Sequence, residues 1–217
     1  MKIACITYRD WALKIYDRLH EAYEDVHNFM IIKSREEYNK EEILLFNPDL
    51  ILWYGWSWIV DREFTSNFTS IMLHPSPLPK YRGGSPIQNQ IINNEKTSSV
   101  TLFKMTENID DGDVYVQLRM SLSGSLNNIF TRMTNLGFAG TCQIIDGDAK
   151  LTKQDKQSAS YFKRRKPENS EITIDEIKNK SAEYIHNKIR MLADPYPNAF
   201  IRTKDNKKLL IIESKIE

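Results

Sequence analysis

The sequence predicts an α/β fold, a mostly parallel sheet with helices on both faces. Three observations carry this. Short buried-type apolar runs alternate with stretches of helical spacing through the first half of the chain. Helix start and stop signals punctuate that alternation. The 217 residues suit one domain plus a small appendage and are enough to bury a real core.

Ile3 to Tyr8 reads as a buried strand, and Trp11, Ile15 and Leu19 then recur at helical spacing. Phe29-Met30-Ile31-Ile32 is a second strand. Ser34-Arg35-Glu36-Glu37 is a capping-box signature that starts the next helix. Asn47-Pro48 ends that helix, because proline disfavours helical geometry in the residue before it. Asp49 to Tyr54 is the third strand and Ser70 to Leu73 a short fourth. At Ser85-Pro86-Ile87-Gln88 another helix begins: serine suits the N-cap, proline the first helical position, and the glutamine can reach back. Ser98 to Lys104 and Val114 to Met120 pair around an Asp110–Gly112 turn. Leu126, Ile129, Phe130, Met133 and Leu136 share one face of a longer helix that Gly147 can close. Lys150 to Gln157 is polar and reads as a linker, which divides the chain into residues 1–150 and a C-terminal extension, 151–217. The extension carries a basic knot, Lys163-Arg164-Arg165-Lys166, and a last helix from Ser181 to Leu192, ended by Asp194-Pro195-Tyr196-Pro197.

Composition excludes several classes. Lys and Arg number 30 against 29 Asp and Glu, so broad nucleic-acid binding through phosphate neutralisation is not expected. Cys5 and Cys142 lie far apart, with neither a disulfide framework nor metal-ligand spacing. Together with the lack of a signal-peptide pattern, they point to a reducing cytoplasm and no metal. No segment is apolar over the length a membrane span needs.

The chemistry concentrates at Leu73-His74-Pro75-Ser76-Pro77-Leu78-Pro79-Lys80-Tyr81-Arg82-Gly83-Gly84 and, downstream, Ile109-Asp110-Asp111-Gly112-Asp113. An imidazole restrained by prolines and a carboxylate on a tight turn can form an acid/base pair. A structural histidine in a turn is the competing reading. Asp111 and Asp113 read as a solvated turn, since the cluster lacks the ligand pattern of a calcium loop. Gly83-Gly84, before a helix start, either lets a ligand approach the backbone or makes a plain turn. Arg82 either touches a ligand or faces solvent. Trp53-Tyr54-Gly55-Trp56-Ser57-Trp58 follows the third strand, at the edge where open α/β sheets place their crevice. Core packing competes there, most strongly for Trp53. Arg9-Asp10-Trp11 lies at the same edge; Trp11 can stack a base and Arg9 pair a phosphate, or Asp10 simply caps a helix. The basic knot can contact a diphosphate or stand solvated, with Tyr161 and Glu168 beside it.

On these residues the chain resembles the folate-dependent formyltransferases. That family's hallmark is Asn-x-His-Pro-Ser-x-Leu-Pro-x-x-Arg-Gly followed by an Asp-x-Gly turn, matched here from His74 to Gly83 and at Asp110-Asp111-Gly112. The likeness covers roughly the N-terminal 150 residues. Arg164-Arg165-Lys166-Pro167-Glu168 and Asp194-Pro195-Tyr196-Pro197-Asn198-Ala199-Phe200 are similar to segments of the methionyl-tRNA and sugar-amine subgroups. The resemblance implies a Rossmann-like core, N10-formyltetrahydrofolate as donor, and an amine acceptor. It implies that His74 stabilises the oxyanion and moves the amine proton while Asp110 orients the imidazole. It implies a donor site at Tyr54, Gly55, Trp56, Ile59, Arg82, Gly83 and Gly84, with the pterin held mainly by main-chain groups. Acceptor contacts fall to Arg9, Asp10, Trp11, Ser76, Tyr161, Arg164, Arg165, Glu168 and Tyr196. One departure matters: Met72 stands where the family has asparagine, and a thioether donates no hydrogen bond.

The expected function is formyl transfer to a nucleotide-linked 4-amino-4,6-dideoxysugar on UDP or dTDP, of the pseudaminic-acid type of pathway. The alternatives are a methionyl-tRNA formyltransferase-like enzyme, glycinamide-ribonucleotide formyltransferase, and a non-catalytic folate-binding member. The near-neutral charge and the chain's end soon after Tyr196 argue against the tRNA reading. The ribonucleotide enzymes lack the Arg-Arg-x-Pro-Glu and Pro-Tyr-Pro elements. By resemblance, a homodimer is the default assembly.

Overall fold

A computed structural model describes residues 1–217. In chain order the core runs β1 (Lys2–Ile6), α1 (Asp10–Tyr23), β2 (Asn28–Ile32), α2 (Lys40–Phe46), β3 (Leu50–Leu52), α3 (Arg62–Asn67) and β4 (Thr69–His74). It continues with β5 (Arg82–Gly83), α4 (Pro86–Ile92), β6 (Thr97–Lys104), β7 (Val114–Ser121) and α5 (Leu126–Ile145). Beyond it lie β8 (Tyr161–Phe162), α6 (Ile174–Asn179), α7 (Ala182–Arg190), β9 (Ala199–Arg202) and β10 (Lys208–Ile211). The main sheet has the order β2-β1-β3-β4-β6-β7, in which β2, β1, β3 and β4 are parallel and β6 and β7 join antiparallel. This is the Rossmann-like, mostly parallel architecture expected.

Parallel central strands are buried on both faces, and successive side chains go to opposite sides. Ile3, Cys5, Leu52, Ile71 and Leu73 pack with Ile15 and Leu19 of α1 and Ile129 and Met133 of α5. Ala4, Ile6, Ile51 and Trp53 pack on the other side with Ile43 of α2 and Phe64 of α3, and Met72 joins this second cluster. β3 and β4 run side by side and end at the same edge, where the tryptophan loop and His74 therefore meet.

Several local expectations change. The Ser34–Glu37 signature starts no helix. Ser34 Oγ does accept the Glu37 N–H, but the Glu37 carboxylate takes the N–H of Lys33 rather than returning to Ser34, so the box closes a turn. Helix α2 begins later, where Asn39 Oδ1 accepts from the N–H groups of Glu41 and Glu42. Its end is as expected, with Asn47 in the left-handed region. Asp10 is the first residue of α1 and not its cap. The polar stretch 150–157 is no free linker: Thr152 exchanges both backbone hydrogen bonds with Val114 at 2.8 Å. Four further pieces escaped the periodicity argument: α3, the β5–β8 pair, α6 and the β9–β10 hairpin. Each is short. Ile172, Ile189, Met191 and Ala199, all beyond residue 150, belong to the same core as β1. No helix is long and apolar enough to cross a membrane.

Candidate active site

His74 ends β4 and is 6% exposed. Its Nε2 lies 2.8 Å from the Tyr81 carbonyl, which can only accept, so Nε2 carries the proton. Nδ1 then faces Asp110 Oδ2 at 3.5 Å. That same oxygen accepts the Gly83 N–H at 2.7 Å. The sequence pair thus meets as expected, with a specific consequence. The second ring nitrogen and a carboxylate oxygen thus face each other 3.5 Å apart at the end of β4, both turned toward one point.

The backbone around this gap is held in an uncommon conformation. Tyr81, Ser85 and Asp110 have φ of 60°, 52° and 51°. Such residues cost about 1–3 kcal/mol each and persist only where their surroundings over-determine them. The surroundings here are specific. Tyr81 N–H donates to Ser160 Oγ, its hydroxyl donates to Glu95, and its ring stacks on Phe162 at 4.7 Å. Gly112 must be glycine, since a Cβ there would lie 1.6 Å from the Lys104 carbonyl oxygen. Gly84 is equally confined, with a Cβ reaching 2.4 Å from Arg164 Cα. The basic knot therefore packs its backbone on the glycine loop.

Arg82 does not face a ligand or solvent. It is 2% exposed, and its guanidinium donates to Gln154 Oε1 (3.2 and 2.7 Å) and Tyr161 Oη (2.6 Å) and pairs with Asp111 Oδ1 at 2.9 Å. Asp111 is accordingly no solvated turn residue. Gln154 returns the connection: its Nε2 donates to the carbonyls of Asp110 (3.0 Å) and Gly112 (2.7 Å). One glutamine in the supposed linker ties the arginine after the histidine motif to the Asp110–Gly112 turn. Nothing in the sequence marked it apart from other polar residues.

On the expected donor side, Trp53 is fully buried and donates Nε1–H to Ser70 Oγ. Tyr54 is also in the core, its hydroxyl against Thr141 Oγ1 and its N–H donated to the Tyr16 hydroxyl at 2.9 Å, so it can offer a ligand only its carbonyl. Trp56 is nearly buried, whereas Trp58 is 43% and Ile59 100% exposed. Trp58 packs against Trp56 and Tyr8 at 4.7 and 4.8 Å between ring centroids, under the Arg35 guanidinium. The result is an aromatic platform at the edge where His74 stands.

The expected acceptor residues divide. Trp11 and Tyr196 share a small pocket, and Tyr196 stacks on Phe130. Arg9 lies over the Tyr8 ring at 4.4 Å, and Asp10 is exposed. Ser76 is fully buried and donates to the Lys80 carbonyl, a structural bond that removes it from the ligand set. Tyr161 is exposed but its hydroxyl serves Arg82. Arg164 and Glu168 are exposed; Arg165 is half-buried, bonded to the Asn169 carbonyl, and burial holds its guanidinium below its ordinary pKa. Ser85 does not cap α4, because its Oγ accepts the Arg165 N–H. Gln88 does not reach back either; both its amide atoms are buried without partners.

Residues 8–128, more than half of the chain, match the family model described as formyl transferase. The chain belongs to the formyl transferase family. Among curated members, it is 33% identical to the methionyl-tRNA formyltransferase of Halalkalibacterium halodurans over 176 residues, 77% of this chain and 54% of that protein. The Lactobacillus acidophilus methionyl-tRNA formyltransferase is 30% identical over 178 residues, 78% of this chain and 54% of its own. This formyl transferase thus spans about half the length of those relatives. Among solved structures, the methionyl-tRNA formyltransferase from Clostridium thermocellum superposes with a TM-score of 0.85 at 32% identity, covering 97% of both chains. A sugar N-formyltransferase from Shewanella shares the fold at 17% identity, with a TM-score of 0.78 over 100% of this chain and 98% of that one.

Proposed function

We propose that the protein is an N-formyltransferase that moves a formyl group from N10-formyltetrahydrofolate to the amine of a nucleotide-linked 4-amino-4,6-dideoxysugar on UDP or dTDP. The observation that carries the chemistry is the His74–Asp110 gap. With Nε2–H engaged by Tyr81, only Nδ1 can take a proton. An acceptor N–H aimed between Nδ1 and Oδ2 meets two acceptors at once. The amine nitrogen bonds to the formyl carbon as that carbon's bond to folate N10 breaks. His74 Nδ1 takes the amine proton and passes it to the departing N10, and Asp110, fixed by the Gly83 N–H, stabilises the imidazolium in between.

The donor supplies an activated formyl carbon. Exposed Trp58 and Ile59 beside main-chain groups of Tyr54 to Trp56 are suited to a flat reduced pterin. Met72 packs in the second core cluster and offers the formyl oxygen no hydrogen bond. A net charge of +1 favours a small acceptor over tRNA. A second reading, methionyl-tRNA as acceptor, is favoured by the 30–33% identity to enzymes of that name.

The experiment is amine-dependent release of tetrahydrofolate with UDP- and dTDP-aminosugars and with charged initiator tRNA in parallel. Turnover with an aminosugar supports the first reading, and turnover with charged tRNA alone replaces it with the second. Binding of reduced folate without turnover on any amine, together with activity gained by Met72→Asn, makes the protein a folate binder instead.

A further inference from the structure

Two acceptors compete for the single N–H proton of a neutral His74 ring. The Tyr81 carbonyl faces Nε2 at 2.8 Å, and the Asp110 carboxylate faces Nδ1 at 3.5 Å. A carboxylate is intrinsically the stronger acceptor of the two. The proton therefore stays on Nε2 only while the Tyr81 carbonyl holds its place. An ordinary backbone does not supply that place. Tyr81 has φ of 60°, in a region that bulky residues seldom enter.

Two successive peptide units set the carbonyl, and each is held at both ends. In the first, the Lys80 carbonyl accepts the Ser76 hydroxyl at 2.7 Å, and the Tyr81 N–H donates to Ser160 Oγ at 2.9 Å. In the second, the Tyr81 carbonyl accepts from His74, and the Arg82 N–H donates to the Ser160 carbonyl at 2.8 Å. The Ser160 N–H closes the loop on the Pro79 carbonyl at 3.2 Å. One half-buried serine just before β8 thus holds the chain at three points between Pro79 and Arg82. Its two main-chain bonds run alongside the β5–β8 pair and persist in any variant that keeps the backbone N–H. Its hydroxyl is the sole partner of the Tyr81 N–H. The Glu95 and Phe162 contacts of Tyr81 act on the ring, not on the peptide.

We infer that Ser160 is a positioning residue whose hydroxyl decides which nitrogen of His74 carries the proton. Without it the Tyr81 N–H loses its partner, Tyr81 relaxes toward negative φ, and its carbonyl leaves Nε2. The proton then moves to Nδ1, toward Asp110, and occupies the lone pair that takes the amine proton. Only this last consequence rests on the transferase reading above; the tautomer is a property of the protein alone.

The test is the 15N spectrum of the His74 ring in the protein without ligands, assigned through its loss in His74→Ala and recorded where the ring is neutral. In the native protein Nε2 is expected to resonate as a protonated ring nitrogen and Nδ1 as an unprotonated one. Ser160→Ala is expected to draw the two resonances together or exchange them, and Ser160→Thr, which keeps the hydroxyl, to restore them. Unmoved resonances in Ser160→Ala overturn the inference, whatever happens to Tm or turnover. A threonine variant as displaced as the alanine one assigns the effect to packing and overturns it as well. Should the alanine variant fail to fold, Ser160→Cys, close in shape and a weak acceptor, repeats the measurement. With an amine that is formylated, Ser160→Ala is expected to lower kcat about 10–100-fold and to leave both KM values within about twofold. A tautomer that moves while kcat holds keeps the role of Ser160 and refutes Nδ1 as the base.

Discussion

Replacing Gln154 with alanine loosens the proposed His74–Asp110 pair without touching either member. Four hydrogen bonds disappear: two that Oε1 accepts from Arg82 and two that Nε2 donates to the carbonyls of Asp110 and Gly112. A neutral hydrogen bond contributes about 0.5–1.5 kcal/mol net, and one to a charged group about 1.5–3 kcal/mol. Arg82 keeps Asp111 and Tyr161, and Gln154 is only half-buried, so water replaces part of the loss. The expected destabilisation is about 2–3 kcal/mol, which for a chain of this length lowers Tm by about 4–12 °C. The catalytic effect is larger than that fall alone explains. The Asp110 turn has left-handed backbone at Asp110 and loses its two hydrogen bonds from the extension, keeping only the ion pair of exposed Lys156 with Asp111 at 3.8 Å and the link through Arg82. The fall in kcat is expected to be about 10–100-fold, some 1.4–2.8 kcal/mol of transition-state stabilisation. Denaturant unfolding gives the first quantity and steady-state tetrahydrofolate release the second. Gln154→Glu sharpens the test, because it still accepts from Arg82 but sets a carboxylate against two carbonyls. It is expected to recover part of the stability and none of the kcat. A Gln154→Ala enzyme that loses stability but keeps kcat within about twofold refutes the reasoning, since the bridge would then serve the fold alone.

Asp110→Asn keeps an acceptor for the Gly83 N–H but no charge to balance an imidazolium, so kcat is expected to fall about 10²–10⁴-fold with little change in Tm. Trp58→Ala removes exposed aromatic surface and is expected to raise the folate KM several-fold, read by initial rates, while leaving the unfolding midpoint nearly unchanged. Gly112→Ala forces the turn off β6 and is expected to cost about 3 kcal/mol or more in denaturant unfolding. Burial alone would raise the Glu176 carboxyl, but the Lys188 ammonium, 2.7 Å from both oxygens, and the Thr173 N–H hold its pKa below the ordinary value. A depressed folded pKa gives stability that is present above the unfolded carboxylate pKa and is lost as pH falls through the folded one. Acid titration of the unfolding free energy should therefore show a loss in that window that Glu176→Gln abolishes.

The order of the six main-sheet strands and of the longer helices, the positions of His74 and Asp110 and the glycine turn between β6 and β7 were readable from local pattern. Backbone sterics, side-chain periodicity and motif spacing act over a few residues, so they leave a trace in the linear chain. The Ser34 box shows the limit even there. A capping signature states which hydrogen bonds are possible, and the one from the Lys33 N–H won.

The direction of Arg82, the burial of Ser76, the bridging by Gln154 and the orphaned amide of Gln88 left no such trace. Each depends on groups brought together across many intervening residues, as when Gln154 meets Arg82 72 positions away. Polar side chains choose their partners after packing has set which of them lose water, and that choice is made by the folded core rather than by neighbours in the chain.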